Sequence, residues 1–235
     1  MKIISSKFPD RIIISNWKMN PKTLKEAVTY FKAMLKIALA NRNNKYVVLV
    51  PMPFFETLSS IKQKIVSIGI QNIHHELFGA YTGETALSML PKTPAYILVG
   101  HSERKSIGET DKDINKKIII GLKQKTNIVL CIGEKNRDQQ ALFFAAIREQ
   151  IEQALVGVSK KDISNIFFAY EPIWAIGKDA KRSARPEEIF EVVIYIKKVL
   201  FDLYGETSRN AVKILYGGST DSKNASSFLI EGGVD

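Results

Sequence analysis

The chain has 235 residues, of which 45% are hydrophobic and 25% are charged. A chain of this length and apolar content can bury one large core, so a single domain spanning residues 1–235 is predicted. Lysine and arginine outnumber aspartate and glutamate by 34 to 24, and the net charge of +10 favours anionic partners such as phosphorylated metabolites.

Several classes of protein are excluded by the composition. One cysteine, Cys131, excludes an internal disulfide framework and a cysteine-based zinc cluster, and it suits a reducing cytoplasm. The adjacent His74 and His75 lack the spacing of a helical metal site, so no metal is predicted. We expect a soluble cytoplasmic protein without membrane contact, because no apolar run reaches membrane-spanning length and the N-terminus has no secretory signal pattern. The basic residues lie mostly in helix-like stretches, which favours solvated faces over a nucleic-acid surface.

Short β-branched or aromatic runs alternate with amphipathic stretches along the whole chain, which is typical of a parallel sheet covered by helices. The predicted strands are residues 11–16, 46–50, 66–71, 95–99, 127–132, 165–169 and 212–216. Among the predicted helices are residues 23–40, 137–156 and 186–204. This order predicts an α/β fold, a (β/α)8 barrel whose eighth strand and helix are missing from the chain.

Polar and glycine residues cluster just after the predicted strands. They are Asn16 and Lys18 after the first, His101 and Glu103 after the fourth, Cys131 and Glu134 at the fifth, Glu171 after the sixth, and Gly217, Gly218 and Ser219 after the seventh. In a parallel barrel these segments meet at one face, where such barrels place their active sites.

Glu171 is the most informative of these residues. It lies where an apolar strand meets a proline-stiffened loop, in the sequence Ala-Tyr-Glu-Pro-Ile-Trp-Ala-Ile-Gly. Apolar surroundings raise the proton affinity of a carboxylate toward neutrality, which suits a general base. The alternative is a solvated loop glutamate with a buried tryptophan nearby.

Together the residue types indicate a reaction class. A carboxylate (Glu171), an imidazole (His101), and an ammonium group (Lys18) beside an amide (Asn16) can remove a proton next to a carbonyl and stabilise the enediolate that results. This chemistry needs neither a metal nor an organic cofactor. The glycine-rich turns near 177 and 217 can present backbone N–H groups to a phosphate.

Each residue also has a structural explanation. Lys18 can be an ordinary strand-end lysine, and His101 can cap the following helix. Ser102 reads as the N-cap of that helix and Glu103 as a first-turn acid, which can also pair with the lysine. Cys131 can be a small buried residue. Five strand-end segments carry residues of this kind, and five independent coincidences are hard to sustain. The functional interpretation of all of them together is therefore favoured.

Five ordered motifs resemble the triosephosphate isomerase family. They are Ser-Asn-Trp-Lys-Met-Asn at 15–20, Gly-His-Ser-Glu-Arg at 100–104, Cys-Ile-Gly-Glu at 131–134, residues 169–177, and Tyr-Gly-Gly-Ser at 216–219. They span nearly the whole chain. The resemblance implies the interconversion of dihydroxyacetone phosphate and D-glyceraldehyde 3-phosphate, in glycolysis and gluconeogenesis, without a cofactor.

The resemblance also implies residue roles. Glu171 moves the proton between carbons one and two, while a neutral His101 polarises the carbonyl and relays protons between the oxygens; this family is the standard example of both the neutral imidazole and the closing lid. Asn16 and Lys18 contact the substrate, with Lys18 as the main electrostatic stabiliser. Glu103 is then the partner of the lysine in the free enzyme or a helper in proton relay.

A lid over the site follows from the same resemblance. Its residues are Pro172, Ile173, Trp174, Ala175 and Ile176, of which the first three form a hinge. The N–H of Gly177 meets the phosphate on closure, and Tyr216 holds the closed lid. Gly217, Gly218 and Ser219 complete the phosphate contacts. Water must be expelled because an exposed enediolate phosphate loses its phosphate.

Residues 79–84, Gly-Ala-Tyr-Thr-Gly-Glu, resemble the third βα loop of the family. That loop reaches into a neighbouring subunit and places a threonine, here Thr82, beside the Asn16 and Lys18 of that subunit. A homodimer with contacts at Thr82, Gly83 and Glu84 is therefore expected. The alternative is an ordinary glycine-rich surface loop.

Two segments depart from the family pattern. The stretch between Gly177 and Pro186 is longer and more basic than the usual lid, and its Lys178, Lys181 and Arg182 either attract a dianionic substrate or are simply solvated. The family continues beyond the position of Asp235 into an eighth strand, a Gly-Gly phosphate loop and a final helix. The chain is therefore expected to be C-terminally incomplete, or to be a barrel completed in another way.

Three functional hypotheses remain open at this point. The first is triosephosphate isomerase acting on triose phosphates. The second is another phosphate-binding barrel isomerase or lyase, which needs residues other than His101 and Glu171 at these strand ends. The third is a non-catalytic binding protein on an isomerase scaffold, for which salt-sensitive retention of nucleic acid without turnover is the diagnostic.

Overall fold

The computed structural model describes residues 11–138, 140–177, 180 and 182–235. Within these residues seven strands form one sheet in chain order, and each strand pairs in parallel with the next. The strands are β1 (Ile12–Asn16), β2 (Lys45–Val50), β3 (Val66–Ile70), β4 (Tyr96–Val99), β5 (Asn127–Ile132), β6 (Ile166–Tyr170) and β7 (Lys213–Tyr216). Each lies within one residue of its predicted bounds. The predicted barrel order is confirmed.

Helices connect the strands and cover the outside of the sheet. The α-helices are α1 (Leu24–Ala40), α2 (Met52–Ser60), α3 (Ser102–Ser106), α4 (Asp111–Lys123), α5 (Phe143–Ala154), α6 (Pro186–Tyr204), α7 (Glu206–Ala211) and α8 (Ala225–Glu231). Short 3-10 turns cover Leu87–Met89, Ile163–Asn165 and Ile173–Ala175. None of the helices in the described part of the chain is long and apolar enough to cross a membrane.

Local sequence explains the start of α1 but not that of α5. Thr23 caps α1 because its hydroxyl accepts the Glu26 N–H at 3.2 Å, and α1 then buries Phe31 against the sheet. Full burial of such a side chain stabilises the fold by about 1.5–3 kcal/mol. The predicted start of α5 at 137 was wrong. Here the Asp138 carboxylate accepts the Phe143 N–H at 3.0 Å, and Ala141 has φ +60°, so helical geometry begins only afterwards.

Side chains alternate between two hydrophobic layers, because successive strand residues point to opposite faces of the sheet. The inner layer fills the barrel and the outer layer lies under the helices. Val129 and Phe167 are paired across β5 and β6 in the inner layer, and the next pair, Leu130 and Phe168, belongs to the outer layer. Filling the barrel in this way makes it a packed core, which holds the strand ends in fixed relative positions.

A gap remains between β1 and β7, the two edge strands of the described sheet. Asp235 lies at its base and bonds to both edges: its N–H donates to the Ile214 carbonyl at 2.8 Å, and its carbonyl accepts the Ile12 N–H at 3.3 Å. The Asp235 carboxylate also accepts from Lys213 Nζ at 2.8 Å. Asp235 therefore bridges the edges of β7 and β1 at this end of the sheet.

Candidate active site

The loops after β1, β4, β6 and β7 surround one cavity of about 860 Å³ at the carboxyl ends of the strands. All the residues predicted as catalytic line it: Asn16, Lys18, His101, Glu103 and Glu171. Gly177, Gly217, Gly218 and Ser219 line it as well. The predicted convergence of these side chains is thus observed, since parallel strands in one barrel end at the same face.

Glu171 is the buried carboxylate of the cavity, with 6% of its surface exposed. Its Oε2 accepts the Ser102 N–H at 3.3 Å, and its Oε1 lies 3.4 Å from His101 Nε2. Burial raises the pKa of Glu171 above the usual range of a glutamate. A raised pKa makes this carboxylate a stronger proton acceptor, as a general base requires.

Two glycines make room for Glu171. A Cβ atom on Gly133 would lie 1.9 Å from the carbonyl oxygen of Glu171, and one on Gly217 would lie 2.9 Å from its Cγ. The Gln150 side chain holds Gly133 in place from α5, because its amide accepts the Gly133 N–H and donates to the Gly133 carbonyl, both at 3.0 Å. The support that Gln150 gives was missed by the sequence analysis, because Gln150 carries no local signal that it faces the site.

His101 lies between β4 and α3. Its Nδ1 accepts the Glu103 N–H at 3.2 Å, so this nitrogen carries no proton and the ring is the neutral tautomer protonated on Nε2. The Nε2–H is left facing Glu171 and the cavity. Ser102, predicted to be the N-cap of α3, is instead its first residue. The prediction for Ser102 was wrong, and the alternative that His101 caps this helix is confirmed, because the imidazole two residues after β4 takes the capping position.

Lys18 is held in an unfavourable backbone conformation. Its φ is +52°, in the left-handed region that costs a non-glycine residue about 1–2 kcal/mol. Asn16 Oδ1 accepts the Lys18 N–H at 3.0 Å, and Gln71 Nε2 donates to the Lys18 carbonyl at 2.9 Å. Those bonds offset the strain and direct the lysine toward Glu103, whose Oε1 accepts from Lys18 Nζ at 2.6 Å.

The turn after β7 is ordered by its neighbours. The Gly217 N–H donates to the Tyr170 carbonyl at 2.8 Å, so this donor is already in use within the protein. Asn224 Nδ2 donates to the Ser219 carbonyl at 3.1 Å. The Tyr216 hydroxyl is buried without a hydrogen-bond partner among the described residues, and burial raises the pKa of Tyr216 to about 12.

The segment after Glu171 starts with a 3-10 turn anchored on Glu134. Glu134 Oε1 accepts from Trp174 Nε1 at 2.7 Å and from the Tyr170 hydroxyl at 2.9 Å, while its carbonyl accepts the Ile173 N–H at 3.0 Å. Burial raises the pKa of Glu134. Further along, Ala175 is buried, Ile176 is half-buried and Gly177 is exposed. The anchoring role of Glu134 was not predicted from the sequence.

The basic stretch that follows is only partly described. Lys178 and Lys181 lie outside the described residues. Arg182 is described, and its guanidinium pairs with the Glu188 carboxylate at the start of α6. This ion pair belongs to neither of the two alternatives given for Arg182, attraction of a substrate and simple solvation.

Comparison with known proteins decides the family. The family model of triosephosphate isomerase matches residues 11–235, which include every motif described above. This chain belongs to the triosephosphate isomerase family. Membership decides among the three functional hypotheses in favour of the first.

Curated relatives agree over most of the chain. The triosephosphate isomerase of Aquifex aeolicus is 38% identical over 223 residues, which cover 93% of this chain and 88% of that protein. The triosephosphate isomerase of Caldanaerobacter subterraneus subsp. tengcongensis is 36% identical and covers 95% of this chain and 90% of its own length. That of Dehalococcoides mccartyi is 37% identical, with coverage of 95% and 88%.

The segment that resembles the third loop of the triosephosphate isomerase family projects from the surface. Thr82, Gly83 and Glu84 are all exposed. The base of the loop is closed by the His74 N–H, which donates to the Thr85 carbonyl at 2.8 Å, and the rings of His74 and Tyr81 lie 4.0 Å apart. These contacts shape the loop from within and leave its tip free to contact another surface.

Across the described residues, no group of three or more histidine, cysteine, aspartate or glutamate side chains is placed to hold a metal ion. The polar groups of the cavity are instead those of proton-transfer chemistry: a buried carboxylate, a neutral imidazole and an ammonium group. The arrangement can therefore accept a proton at Glu171, donate a hydrogen bond from His101 and stabilise negative charge with Lys18.

Proposed function

We infer that this triosephosphate isomerase interconverts dihydroxyacetone phosphate and D-glyceraldehyde 3-phosphate with Glu171 as its base. The observation that carries the assignment is the pairing of Glu171 with His101. A buried carboxylate of raised pKa lies 3.4 Å from the Nε2 of a neutral imidazole, at one end of the cavity. One group accepts a proton from carbon, and the other donates a hydrogen bond to oxygen.

The proposed reaction moves one proton and leaves no group on the enzyme. The C–H bond next to the carbonyl breaks, its proton goes to Glu171, and its electron pair forms the C=C bond of an enediolate. Negative charge develops on the former carbonyl oxygen, to which the Nε2–H of His101 donates. Proton transfer between the two oxygens and return of the proton from Glu171 to the adjacent carbon complete the isomerisation.

We propose that Lys18 stabilises the negative charge of the enediolate and the phosphate. Its ammonium group lies at the cavity, and its backbone is fixed by Asn16 and Gln71. A charge that is already in place needs no reorganisation when the transition state forms. Glu103 holds the ammonium group before substrate binds, and Asn16 also contacts the substrate.

A lid of residues 172–177 is proposed to close over the substrate. In the closed state the Gly177 N–H binds the phosphate together with the turn at Gly218 and Ser219. Because the Gly217 N–H is engaged by Tyr170, Gly217 contributes space for Glu171 rather than a donor. The unpartnered Tyr216 hydroxyl is the group that bonds the closed lid.

A coupled assay tests the function. Conversion of D-glyceraldehyde 3-phosphate is measured with the unmodified chain, with Glu171→Gln and with Glu103→Gln. Glu171→Gln keeps the shape but not the basicity, and we expect its kcat to fall by about 10²–10⁴-fold. Glu103→Gln is expected to lose far less, because Glu103 acts through Lys18. Equal turnover by Glu171→Gln and the unmodified chain would contradict the assignment of the base.

We propose that the chain acts as a homodimer in the cytoplasm. Large apolar side chains are highly exposed on the loops after β1, β3 and β4: Met19 (94%), Phe78 (89%), Ile107 (72%) and Met89 (68%). Large exposed apolar surface on a folded protein often marks a contact surface. A second copy is the proposed occupant, with Thr82, Gly83 and Glu84 at the centre of the contact.

We further propose one domain completed by an eighth βα unit between β7 and β1. The support is the position of Asp235, whose backbone groups bond to both edge strands. Pairing the two edges would satisfy their free backbone groups and close the barrel.

A further inference from the structure

Gln150 on α5 is bonded to two different parts of the active site. Its side-chain oxygen Oε1 accepts the Gly133 N–H at 3.0 Å, and its Nε2 donates to the Gly133 carbonyl at 3.0 Å. The same Oε1 accepts from Lys105 Nζ at 3.3 Å. Gly133 follows β5, whereas Lys105 lies in α3. One side-chain amide therefore joins the end of β5 to α3.

The two elements joined by this amide hold different parts of Glu171. On the α3 side, the Ser102 N–H donates to Glu171 Oε2 at 3.3 Å, and Nε2 of the capping His101 lies 3.4 Å from Oε1. On the β5 side, the Ile132 carbonyl accepts the Glu171 N–H at 2.8 Å, and Gly133 leaves no room for a Cβ beside the Glu171 carbonyl. The place of the carboxylate relative to the imidazole thus depends on how α3 lies against β5.

The contact between α3 and the end of β5 has little slack. Residues of both elements and Glu171 line a pocket of about 10 Å³, and a space of that size holds about one water molecule. Gln150 is half-buried, and its neighbours Ile147 and Ile151 on α5 are fully buried in the core. Because α5 is anchored in this way, Gly133 cannot shift without breaking its bonds to Gln150.

We propose that Gln150 is a positioning residue that sets the separation of Glu171 and His101. Lys105 is its partner on α3. This inference rests on the proposed function of Glu171 as the base. Two bonds to one residue fix the position and the orientation of Gly133, which a single contact would not do. Proton transfer depends steeply on such geometry, since a displacement of about 1 Å can cost about 10²-fold in rate.

The test compares the steady-state kinetics of Gln150→Met with those of the unmodified chain. Methionine keeps roughly the length of glutamine and removes the two bonds to Gly133 and the bond from Lys105. We expect kcat to fall by about tenfold, because the loosened strand end moves Glu171 by a fraction of the roughly 1 Å that costs about 10²-fold. The KM is expected to stay unchanged, since the geometry matters where the proton moves and not where the phosphate binds.

The pH profile distinguishes positioning from a simple loss of folded protein. The acid limb of kcat/KM reports the pKa of the base in the free enzyme. Burial raises the pKa of Glu171, and we expect the release of Gly133 to admit water beside the carboxylate. The pKa then falls, and the acid limb moves to lower pH in Gln150→Met. A smaller folded fraction would lower the profile without moving the limb.

Other titratable groups face Glu171 from several elements, and Gln150→Met leaves all of them in place. They are His101, Glu103 and Lys105 at α3, Cys131 in β5, Lys18 after β1 and Tyr216 in β7. A moved limb is therefore attributed to the surroundings of Glu171 and not to the loss of a neighbouring charge.

Asn115→Leu is the matched control. Asn115 is also a half-buried side-chain amide, and its Nδ2 donates to the Ala154 carbonyl at 2.9 Å and to the Val156 carbonyl at 2.8 Å. The substitution removes two bonds between neighbouring elements, as Gln150→Met does, but Asn115 does not line the cavity. We expect a lower melting temperature with kcat and the acid limb unchanged.

A second variant covers a failure to fold. Circular dichroism and thermal unfolding establish that each variant is folded. Should Gln150→Met not fold, Lys105→Met decides, because it removes the α3 side of the join and leaves both bonds to Gly133. A smaller fall in kcat with the same KM is then expected, and an unchanged kcat overturns the positioning role.

The outcomes separate this inference from the proposed function. Absence of turnover by the unmodified chain, or equal turnover by Glu171→Gln, overturns both. With an active chain and an impaired Glu171→Gln, an unchanged kcat in Gln150→Met overturns the positioning role alone. An acid limb that does not move, or an equal fall of kcat in Asn115→Leu, overturns it as well.

Discussion

Gly133 and Glu171 touch through their backbones at the centre of the site. A Cβ on Gly133 would lie 1.9 Å from the carbonyl oxygen of Glu171, far inside any permitted contact. The Glu171 N–H in turn donates to the Ile132 carbonyl at 2.8 Å, so the two strand ends cannot separate without breaking a ladder bond. The position of the base is therefore set by the absence of a side chain on the neighbouring strand.

Gly133→Ala is expected to displace Glu171. The added methyl group forces the two strand ends apart, and a displacement of about 1 Å at a catalytic group can cost about 10²-fold in rate. We expect kcat to fall by about that factor, together with a lower melting temperature, measured by the coupled assay and by thermal unfolding.

Gly121→Ala is the control for this change. Its Cβ would lie 2.6 Å from Cδ1 of Ile128, the flexible end of a side chain in the outer core. A stability loss with little change in kcat is expected. A similar loss of kcat in both variants would show that general destabilisation, and not the position of Glu171, is responsible.

Glu171→Gln is expected to stabilise the fold at neutral pH while it lowers kcat. Burial raises the pKa of Glu171 in the folded protein, so the folded state favours the protonated form. The contribution of Glu171 to the free energy of unfolding is fully present below the pKa that it has in the unfolded chain. This contribution is lost as the pH rises through the higher pKa that Glu171 has in the folded protein. Glutamine cannot ionise, and it avoids that loss.

The difference in melting temperature between Glu171→Gln and the unmodified chain is measured from pH 4 to pH 8. We expect the variant to have the higher melting temperature, and we expect the difference to grow as the pH rises. Effects of other groups cancel because both proteins are compared at each pH. A difference that is constant with pH would contradict burial as the source of the raised pKa.

Phe78→Asp is expected to separate the proposed dimer. Phe78 is 89% exposed on the loop after β3, and a charge there would be buried without a partner in the contact. Substitution at the centre of an interface can weaken the free energy of association by about 2 kcal/mol or more, which raises the dissociation constant of the dimer by about 30-fold. Sedimentation velocity over a range of concentrations measures it.

Val156→Asp provides the comparison. Val156 is also an exposed apolar residue, at 60%, but it follows α5 on a different side of the barrel. We expect the sedimentation of this variant to match that of the unmodified chain. If both Phe78→Asp and Val156→Asp dissociated the dimer, the dimer contact would not be specific to the loop after β3.

Extension of the chain past Asp235 is expected to raise both stability and turnover. For this test a βα unit, a strand followed by a helix, is fused after Asp235. A strand entering the gap pairs the free edges of β1 and β7 and completes the barrel. We expect a higher melting temperature and a lower KM than those of the 235-residue chain. A fusion of the same composition in scrambled order is the control, and equal effects from both fusions would count against a strand in the gap.

The sequence by itself determined the barrel and the inventory of its site. Alternation of β-branched runs with amphipathic stretches predicted all seven described strands, because the period of apolar residues is a local property of the chain. The strand-end positions of Asn16, Lys18, His101 and Glu171 followed directly, since parallel order brings those ends together.

Local reasoning failed where two local preferences competed. Ser102 is a good N-cap by residue type, but the geometry of the strand-to-helix junction gives that position to His101. The start of α5 was placed too early because the capping bonds of Asp138 depend on how the preceding loop folds back.

Only the tertiary structure decided the contacts that tune the site. The Gly133 approach to Glu171, the Glu134 anchor of Trp174 and the two Gln150 bonds to Gly133 each join residues from different elements. Their partners are fixed by the curvature of the barrel and the packing of α5, and no period or motif in the chain encodes these distances. Residue types set the chemistry that is available, whereas packing sets the proton affinity and the geometry with which it is used.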